Sequence, residues 1–410
     1  MSGRRIKLRL TSRTVIVAGA LVALAAWPVY LSARTQAAAQ PVAVLTPAPV
    51  KADWRTRDPN IAFLESRAGK IHGDMLMPRL LSAEYLRRYR ERGDIGDVVR
   101  AEHAARASLA AMPHRNVAGE AALASALLTL HRFREAKAAI AVARRSEPDN
   151  AELAAEEAGL DLELGNVDGA RRLVDAHRGA AAFAVVTARL DEETGRLAEA
   201  RTLVDGAMHR ADAIYDTPAE RRAWLHARAA ELAFEAGDHA AARAAAQDAL
   251  ALFAGHLRAL TILARVDLAD GRPAEAEDAV KRAVAIQPNP EVLGMLADAQ
   301  TARGEEAAAA ATRDEIFAVE KLGDAQRVND RLIAVYEADH RVRVADAYAV
   351  AKRELAVRDD VYAEDTLAWA AARSGHWDVA RAAIARALRY GIEDPRIREH
   401  AAEIAAHGPG

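Results

Sequence analysis

The segment LARVDLADGRPAEAEDAVKRAVAIQP, residues 263–288, reads as two short helices joined at a glycine. Gly271 separates two alanine-rich stretches, and Pro288 ends the second stretch because proline cannot continue a helix. Gly237 and Gly304 lie in equivalent surroundings, 34 residues before and 33 residues after Gly271. A fixed period of this length with two helices per period indicates an α-solenoid and not an enzyme built on a single core.

The small residues of this segment are Ala264, Ala276 and Ala283, and their spacing around Gly271 resembles that of the tetratricopeptide repeat (TPR). The same register recurs over residues 82–395 in about nine units, with His131 in place of the glycine in one unit and no glycine in the unit 327–360. The resemblance implies an all-α fold: a right-handed superhelix of about nine TPR-like hairpins, in which the first helix of each hairpin lines a concave groove.

The N-terminus has the pattern of an anchoring or targeting segment. Residues 1–13 carry five basic side chains and no acidic one, and residues 14–32 are uncharged. As a helix, residues 14–31 would span about 27 Å, close to a bilayer core of about 30 Å. Two alternatives stay open: a retained transmembrane anchor, or a signal peptide cleaved after Ala25 or Ala39. Under both, the positive-inside rule places the body of the protein across the inner membrane of a bacterium, in the periplasm.

The chain divides into segments by composition and by the repeat period. The spacing between Gly195 and Gly237 is 42 residues, which indicates extra residues and a break between two stacks of repeats. The predicted segments are a basic cytosolic arm (1–13), a transmembrane anchor or signal peptide (14–32), a Pro/Ala-rich linker (33–57), an N-terminal TPR stack (58–210), a break (211–217), and a C-terminal TPR stack with a capping helix (218–407).

Composition and motifs limit the classes of function that this chain can have. The net charge is −3 although the N-terminal arm is strongly basic, so the rest of the chain is acidic, which argues against nucleic acid as the partner. The chain has no cysteine, and we find no phosphate-binding loop, Gly-x-Ser-x-Gly or His-Glu-x-x-His motif. His239, His340 and His376 occupy the same turn position, but equivalent positions lie a repeat apart and cannot share one ion. We therefore predict no catalytic residues, no cofactor and no metal site.

A partner is expected in the groove, where aromatic and charged side chains would anchor it. Applying the groove positions of the family to three units gives ten candidates: Trp224, Glu231, Phe234, Arg258, Thr261, Arg265, Tyr362, Asp365, Trp369 and Arg373. Trp224 and Trp369 have the alternative of packing under a neighbouring repeat.

These features favour a non-catalytic scaffold, membrane-tethered or exported, that binds a peptide or helix of a protein partner in its groove. Two other functions stay open. One is a small-ligand-binding envelope protein that uses the break near 211–217 as a pocket. The other is an accessory subunit of a membrane enzyme complex.

Overall fold

The computed structural model describes residues 56–71, 73–323 and 329–407. The basic arm, the hydrophobic segment 14–32 and nearly all of the linker lie outside these residues. Among the residues described, every regular element is an α-helix or a short 3-10 helix, which confirms the all-α prediction. None of these helices is both long enough and apolar enough to cross a lipid bilayer.

The described chain begins with helix α1 and continues as nine helical hairpins, numbered here from the N-terminus, followed by a last helix. The first four hairpins and the helix before them are α1 (Arg57–Arg67), α2 (Leu76–Arg92), α3 (Ile95–Ala111), α4 (Val117–Thr129), α5 (Phe133–Ser146), α6 (Ala151–Glu163), α7 (Val167–Ala176), α8 (Ala184–Glu193) and α9 (Leu197–Ala213).

The remaining helices are α10 (Ala219–Glu235), α11 (His239–Leu252), α12 (Leu257–Ala269), α13 (Pro273–Ile286), α14 (Pro290–Ala302), α15 (Glu306–Gly323), α16 (Asp330–Asp339), α17 (Val344–Val357), α18 (Val361–Arg373), α19 (Trp377–Ala387) and α20 (Pro395–Ala406). The extra residues predicted near 211–217 extend α9 to Ala213 and are followed by a short connection to α10. Whether the superhelix bends there stays a prediction.

Small residues allow the helices of each hairpin to pack closely. Ala264, Ala276 and Ala283 are fully buried, as the repeat pattern predicts. Short polar side chains start several helices: the Asp360 carboxylate accepts hydrogen bonds from the amides of Tyr362 (2.9 Å) and Ala363 (2.8 Å). Such an N-cap satisfies backbone donors that lack a partner within the helix and is worth about 1 kcal/mol.

The turns inside hairpins 2 to 9 share one conformation. The helix ends at a residue with positive φ, and the amide of the next residue bonds to the carbonyl five residues before it, at 2.7–3.0 Å. The positive-φ residues are His131, Gly165, Gly195, Gly237, Gly271, Gly304, Arg341 and Gly375. His131 (φ 57°) thus takes the position of the glycine, as predicted, and Arg341 (φ 54°) takes it in the unit that has none.

The early and late hairpins contact each other along their edges. A Cβ added to Gly165, in the turn of hairpin 3, would lie 1.8 Å from the carbonyl oxygen of Asp359, between hairpins 8 and 9. A Cβ on Gly195 would lie 2.4 Å from the carbonyl oxygen of Gly391. Arg134 donates to the Ala356 carbonyl at 2.9 Å. The turns of hairpins 2 to 4 therefore form a seam with the connections on either side of hairpin 9.

An ion-pair network reinforces this seam. Arg358 pairs with Asp360 and, at 2.8 Å, with Glu163 on the other side of the seam. Its guanidinium also lies 5.1 Å from the ring centroid of Phe133. Glu163 in turn pairs with Arg189 at 2.5 Å. The network joins hairpins 2, 3 and 4 to the start of hairpin 9, and the superhelix is closed along this line.

Candidate functional site

The first helices of the hairpins form the inner face of the superhelix. The first helix of one hairpin packs on the first helix of the next, as α10 packs on α12 and α16 packs on α18. Among the residues described, successive second helices make at most slight contact with each other. The helices that approach each other line the concave side. We call the surface formed by α4, α6, α8, α10, α12, α14, α16 and α18 the inner face.

On hairpins 4 to 7, charged side chains of the inner face pair with one another. Arg228 bonds to Glu192 of the preceding hairpin and, at 2.5 Å, to Glu231. Arg258 of the next hairpin also bonds to Glu231, at 2.5 Å. Arg265 continues the series by pairing with Glu291. Three of the ten predicted groove residues, Glu231, Arg258 and Arg265, therefore already have partners in neighbouring repeats.

Two carboxyl groups one helical turn apart on α10 have opposite shifts in pKa. Burial works to raise the pKa of Glu231, but the guanidinium groups of Arg258 and Arg228 outweigh it and lower the pKa to about 2. Burial and repulsion from Glu192 and Glu231 raise the pKa of Glu235 to about 10. Near neutral pH, Glu231 is ionised and Glu235 keeps its proton.

The predicted aromatic and hydroxyl residues of hairpins 5 and 6 are mostly packed. Phe234 stacks on His239, with 5.3 Å between the ring centroids. Thr261 is buried, and its hydroxyl donates to the Leu257 carbonyl at 3.0 Å. Trp224 is half-buried on α10. These side chains offer little free surface for a partner.

The four candidates on α18 face other parts of the chain. The Tyr362 hydroxyl donates to Glu192 across the seam at 3.2 Å. Asp365 is buried and pairs with His400 of α20 at 2.9 Å. Trp369 is buried, stacks on His400 and donates to Asp339 at 2.7 Å. Arg373 lies over the ring of Trp369 and pairs with Glu403 of α20.

The last helix, α20, thus covers this end of hairpin 9 in the way expected of a capping helix. Whether any of the ten predicted residues contacts a partner stays a prediction.

A pocket of about 230 Å³ lies on the inner face between hairpins 2 and 3. Its lining combines apolar side chains with two carboxylates and one guanidinium: Ala124, Ser125, Leu128, Glu156, Gly159, Leu160, Glu163 and Arg189. Leu128 is 39% exposed and supplies apolar surface to the pocket. The groove register that gave the ten candidates also selects Ser125, Leu128, Gly159, Glu163 and Arg189 when applied to hairpins 2 to 4. The repeat register in the sequence therefore identifies five of the eight residues that line the pocket.

The charged groups of this pocket differ in their pairing. Arg189 pairs with Glu163 and with Glu193 at 2.7 Å, and these contacts neutralise its charge. Within the residues described, Glu156 takes part in no hydrogen bond or ion pair. Glu156 is exposed at the surface. Its position within the groove still desolvates the carboxylate and raises its pKa to about 7, and repulsion from Glu152 adds to the shift. The pocket therefore carries one carboxyl group without a counter-ion.

The histidines serve mainly as packing and capping residues. The prediction that three histidines share one turn position is wrong. Relative to the positive-φ residue of each turn, His239 lies two residues after it, His340 one before it and His376 one after it. Their rings pack against those of Phe234, Tyr336 and Tyr348. In the described part of the chain, no group of three or more histidine, aspartate and glutamate side chains is placed to hold a metal ion. These ring contacts give each of the three histidines a packing role beside its turn.

Residues 233–299 match the family model described as tetratricopeptide repeat. This segment carries tetratricopeptide repeats. The matched residues include the turns at Gly237 and Gly271, whose spacing indicates the repeat in the sequence. No curated protein matches this TPR chain in sequence.

Several solved structures are similar to this chain. Human IFIT1, solved as a dimer with m7Gppp-AAAA, is 14% identical with a TM-score of 0.50, and the alignment covers 82% of this chain and 77% of that chain. The APC/C hetero-tetramer Cut9-Hcn1 gives 15% identity, a TM-score of 0.47, and coverage of 85% and 67%. A TPR protein from Parabacteroides merdae gives 15%, 0.43, and coverage of 60% and 92%.

TPR solenoids generally present a concave surface to protein partners and are generally not catalysts. A site of this kind acts through the shape and charge of its inner face and not through a reactive constellation. Here the inner face differs from one hairpin to another in how its charged side chains are paired and in whether it contains a pocket.

Proposed function

We propose that this TPR protein is a non-catalytic scaffold whose inner face binds a peptide or helix of a protein partner. The pocket between hairpins 2 and 3 carries this proposal. On hairpins 5 and 6 the guanidinium groups of Arg228, Arg258 and Arg265 are paired with carboxylates of the inner face. The pocket instead combines an exposed Leu128 with Glu156, which has no hydrogen bond or ion pair among the residues described. Aliphatic surface beside a solvated carboxyl group without a counter-ion is a composition suited to recognition.

Site-specific photo-crosslinking tests this function. A photoreactive p-benzoylphenylalanine is introduced in place of Ser125, which lines the pocket, and in a second variant in place of Arg172, which is exposed on the second helix α7. We expect a defined protein crosslinked at position 125 and none at position 172. Equal crosslinking at the two positions, or none at position 125, would count against binding on the inner face.

We propose further that the body lies in the periplasm of a bacterium, tethered to the inner membrane or released after cleavage. The uncharged residues 14–32 and the basic residues before them support this location. Protease digestion of spheroplasts, with sequencing of the N-terminus of the protein, tests it. Resistance to protease in spheroplasts but not in lysed cells would contradict an exported body.

A further inference from the structure

The pocket between hairpins 2 and 3 has two chemically distinct parts. Ala124, Leu128 and Leu160 supply aliphatic surface, and Gly159 leaves open space, since a Cβ added there would have no atom within 4 Å. Glu156 lies on the same helix as Gly159 and supplies a carboxylate. An occupant that matches both parts carries an aliphatic stem that ends in a cation.

The balance of charge in the lining favours a cation. The ionisable side chains are Glu156, Glu163 and Arg189, and the last two pair with each other. The remaining carboxylate is that of Glu156, and Glu152 lies one turn earlier on the same helix. An incoming guanidinium or ammonium group would gain a charge-assisted hydrogen bond without displacing an existing partner of Glu156.

The size of the pocket favours a side chain over a free ligand. Pockets for drug-sized molecules generally occupy about 300–1,000 Å³. At about 230 Å³ this pocket is smaller, and it opens onto an extended inner face. Arginine and lysine bury their methylene stems along apolar surface while the charged group reaches a polar partner, which is the arrangement that Leu128 and Glu156 offer.

We infer that the pocket binds an arginine or lysine side chain of the partner, with its stem against Leu128 and its cationic group on the Glu156 carboxylate. The inference rests on the proposed function, because the rest of the partner would lie along the inner face. Hairpins 2 and 3 then recognise a basic residue of the partner.

The test uses two probes of nearly equal shape: N-acetyl-arginine N-methylamide and its neutral citrulline analogue. They are titrated into the full-length protein in detergent, with methyl-labelled leucine, and the Leu128 resonances are followed by NMR. We expect saturable shifts with the arginine probe and binding at least about tenfold weaker with citrulline. Absence of a saturable shift, or equal binding of both probes, would overturn the inference.

Matched variants locate the effect. Glu156→Gln should abolish the difference between the two probes, whereas Glu399→Gln, which removes the same charge from an exposed position on α20, should preserve it. Gly159→Leu should block the pocket. This variant should still fold, because a glycine within a helix is replaced by a better helix former into open space. Arginine binding that survives both Glu156→Gln and Gly159→Leu would contradict the assignment.

Two outcomes separate this inference from the proposed function. If the partner still crosslinks at position 125 and binds Glu156→Gln as well as the unaltered protein, the function holds and the basic-residue pocket is wrong. If the arginine probe binds but no protein crosslinks at position 125, the pocket is correct and the scaffold function fails. Agmatine serves as a free-cation probe, and binding about tenfold tighter than that of the arginine probe would indicate a free amine and overturn the peptide assignment.

Discussion

The turns of hairpins 3 and 6 have the same local structure and opposite surroundings. Gly165 and Gly271 have φ values of 72° and 70°, and each is followed by an amide that bonds to an aspartate carbonyl five residues before it, at 2.8 and 2.7 Å. Beside Gly271 a Cβ would meet no atom within 4 Å, whereas beside Gly165 it would meet the carbonyl of Asp359. The repeat pattern determines the conformation of each turn. Closure of the superhelix depends instead on which turns contact the connections on either side of hairpin 9.

Replacing these two glycines separates two contributions to the free energy of unfolding: the strain of the turn itself and the packing of the seam. Both Gly165→Ala and Gly271→Ala force a side chain into the left-handed region, at roughly 1 kcal/mol each. Gly165→Ala also overpacks the seam, which adds about 1–3 kcal/mol. Urea unfolding followed by circular dichroism should therefore show a larger loss for Gly165→Ala, and small-angle scattering should show an increased radius of gyration for that variant alone. Equal losses and unchanged radii would mean that the seam contributes little in solution.

The second test removes the central cation of the seam. Arg358→Met leaves the buried carboxylate of Asp360 and the carboxylate of Glu163 without this partner. Removing one member of a buried ion pair costs about 3 kcal/mol or more; because Glu163 keeps Arg189, we expect a loss of about 2 kcal/mol. Arg353→Met, on α17 just before Arg358, removes an exposed arginine 3.9 Å from Asp330 and should change the unfolding free energy by less than about 0.5 kcal/mol. A comparable loss in both variants would contradict a special role for Arg358.

These contacts mark the limit of what the sequence predicts. The period, the alanine contacts and the turn positions follow from local patterns, so the hairpins and even His131 in the place of glycine could be predicted. The seam pairs residues almost 200 positions apart, such as Gly165 with Asp359, and no periodic signal records which edges will meet. The same reason explains Trp369: its groove position is correct for the repeat, but α20 packs on it. The place of Glu156 in a pocket could not be predicted, because a carboxylate on a helix has no distinguishing sequence pattern.

The third test compares two carboxyl groups of the inner face, Glu231 and Glu235. The pKa of Glu231 is lowered in the folded state, so its stabilisation is present above its unfolded pKa and is lost as the pH falls toward 2. The pKa of Glu235 is raised, so its contribution is present below its unfolded pKa and is lost as the pH rises toward 10. Glu231→Gln should lower the urea midpoint at pH 7, and Glu235→Gln should raise it, increasingly between pH 5 and pH 9. Changes of the same sign in both variants would contradict the assigned charge states.

The smallest expected effect concerns the turn of hairpin 8, where the repeat lacks its glycine. Arg341 adopts a φ of 54°, and its side chain is 67% exposed with one ion pair, 3.5 Å from Glu403. Such an exposed pair is worth little, whereas a non-glycine residue in the left-handed region costs roughly 1 kcal/mol. Arg341→Gly should therefore raise the unfolding free energy by about 0.5–1 kcal/mol, opposite in sign to Gly271→Ala at the equivalent position. Neither turn contacts the seam, so the two variants together measure only the preference of the turn for glycine. A destabilised Arg341→Gly would show that the contact with Glu403 outweighs backbone strain.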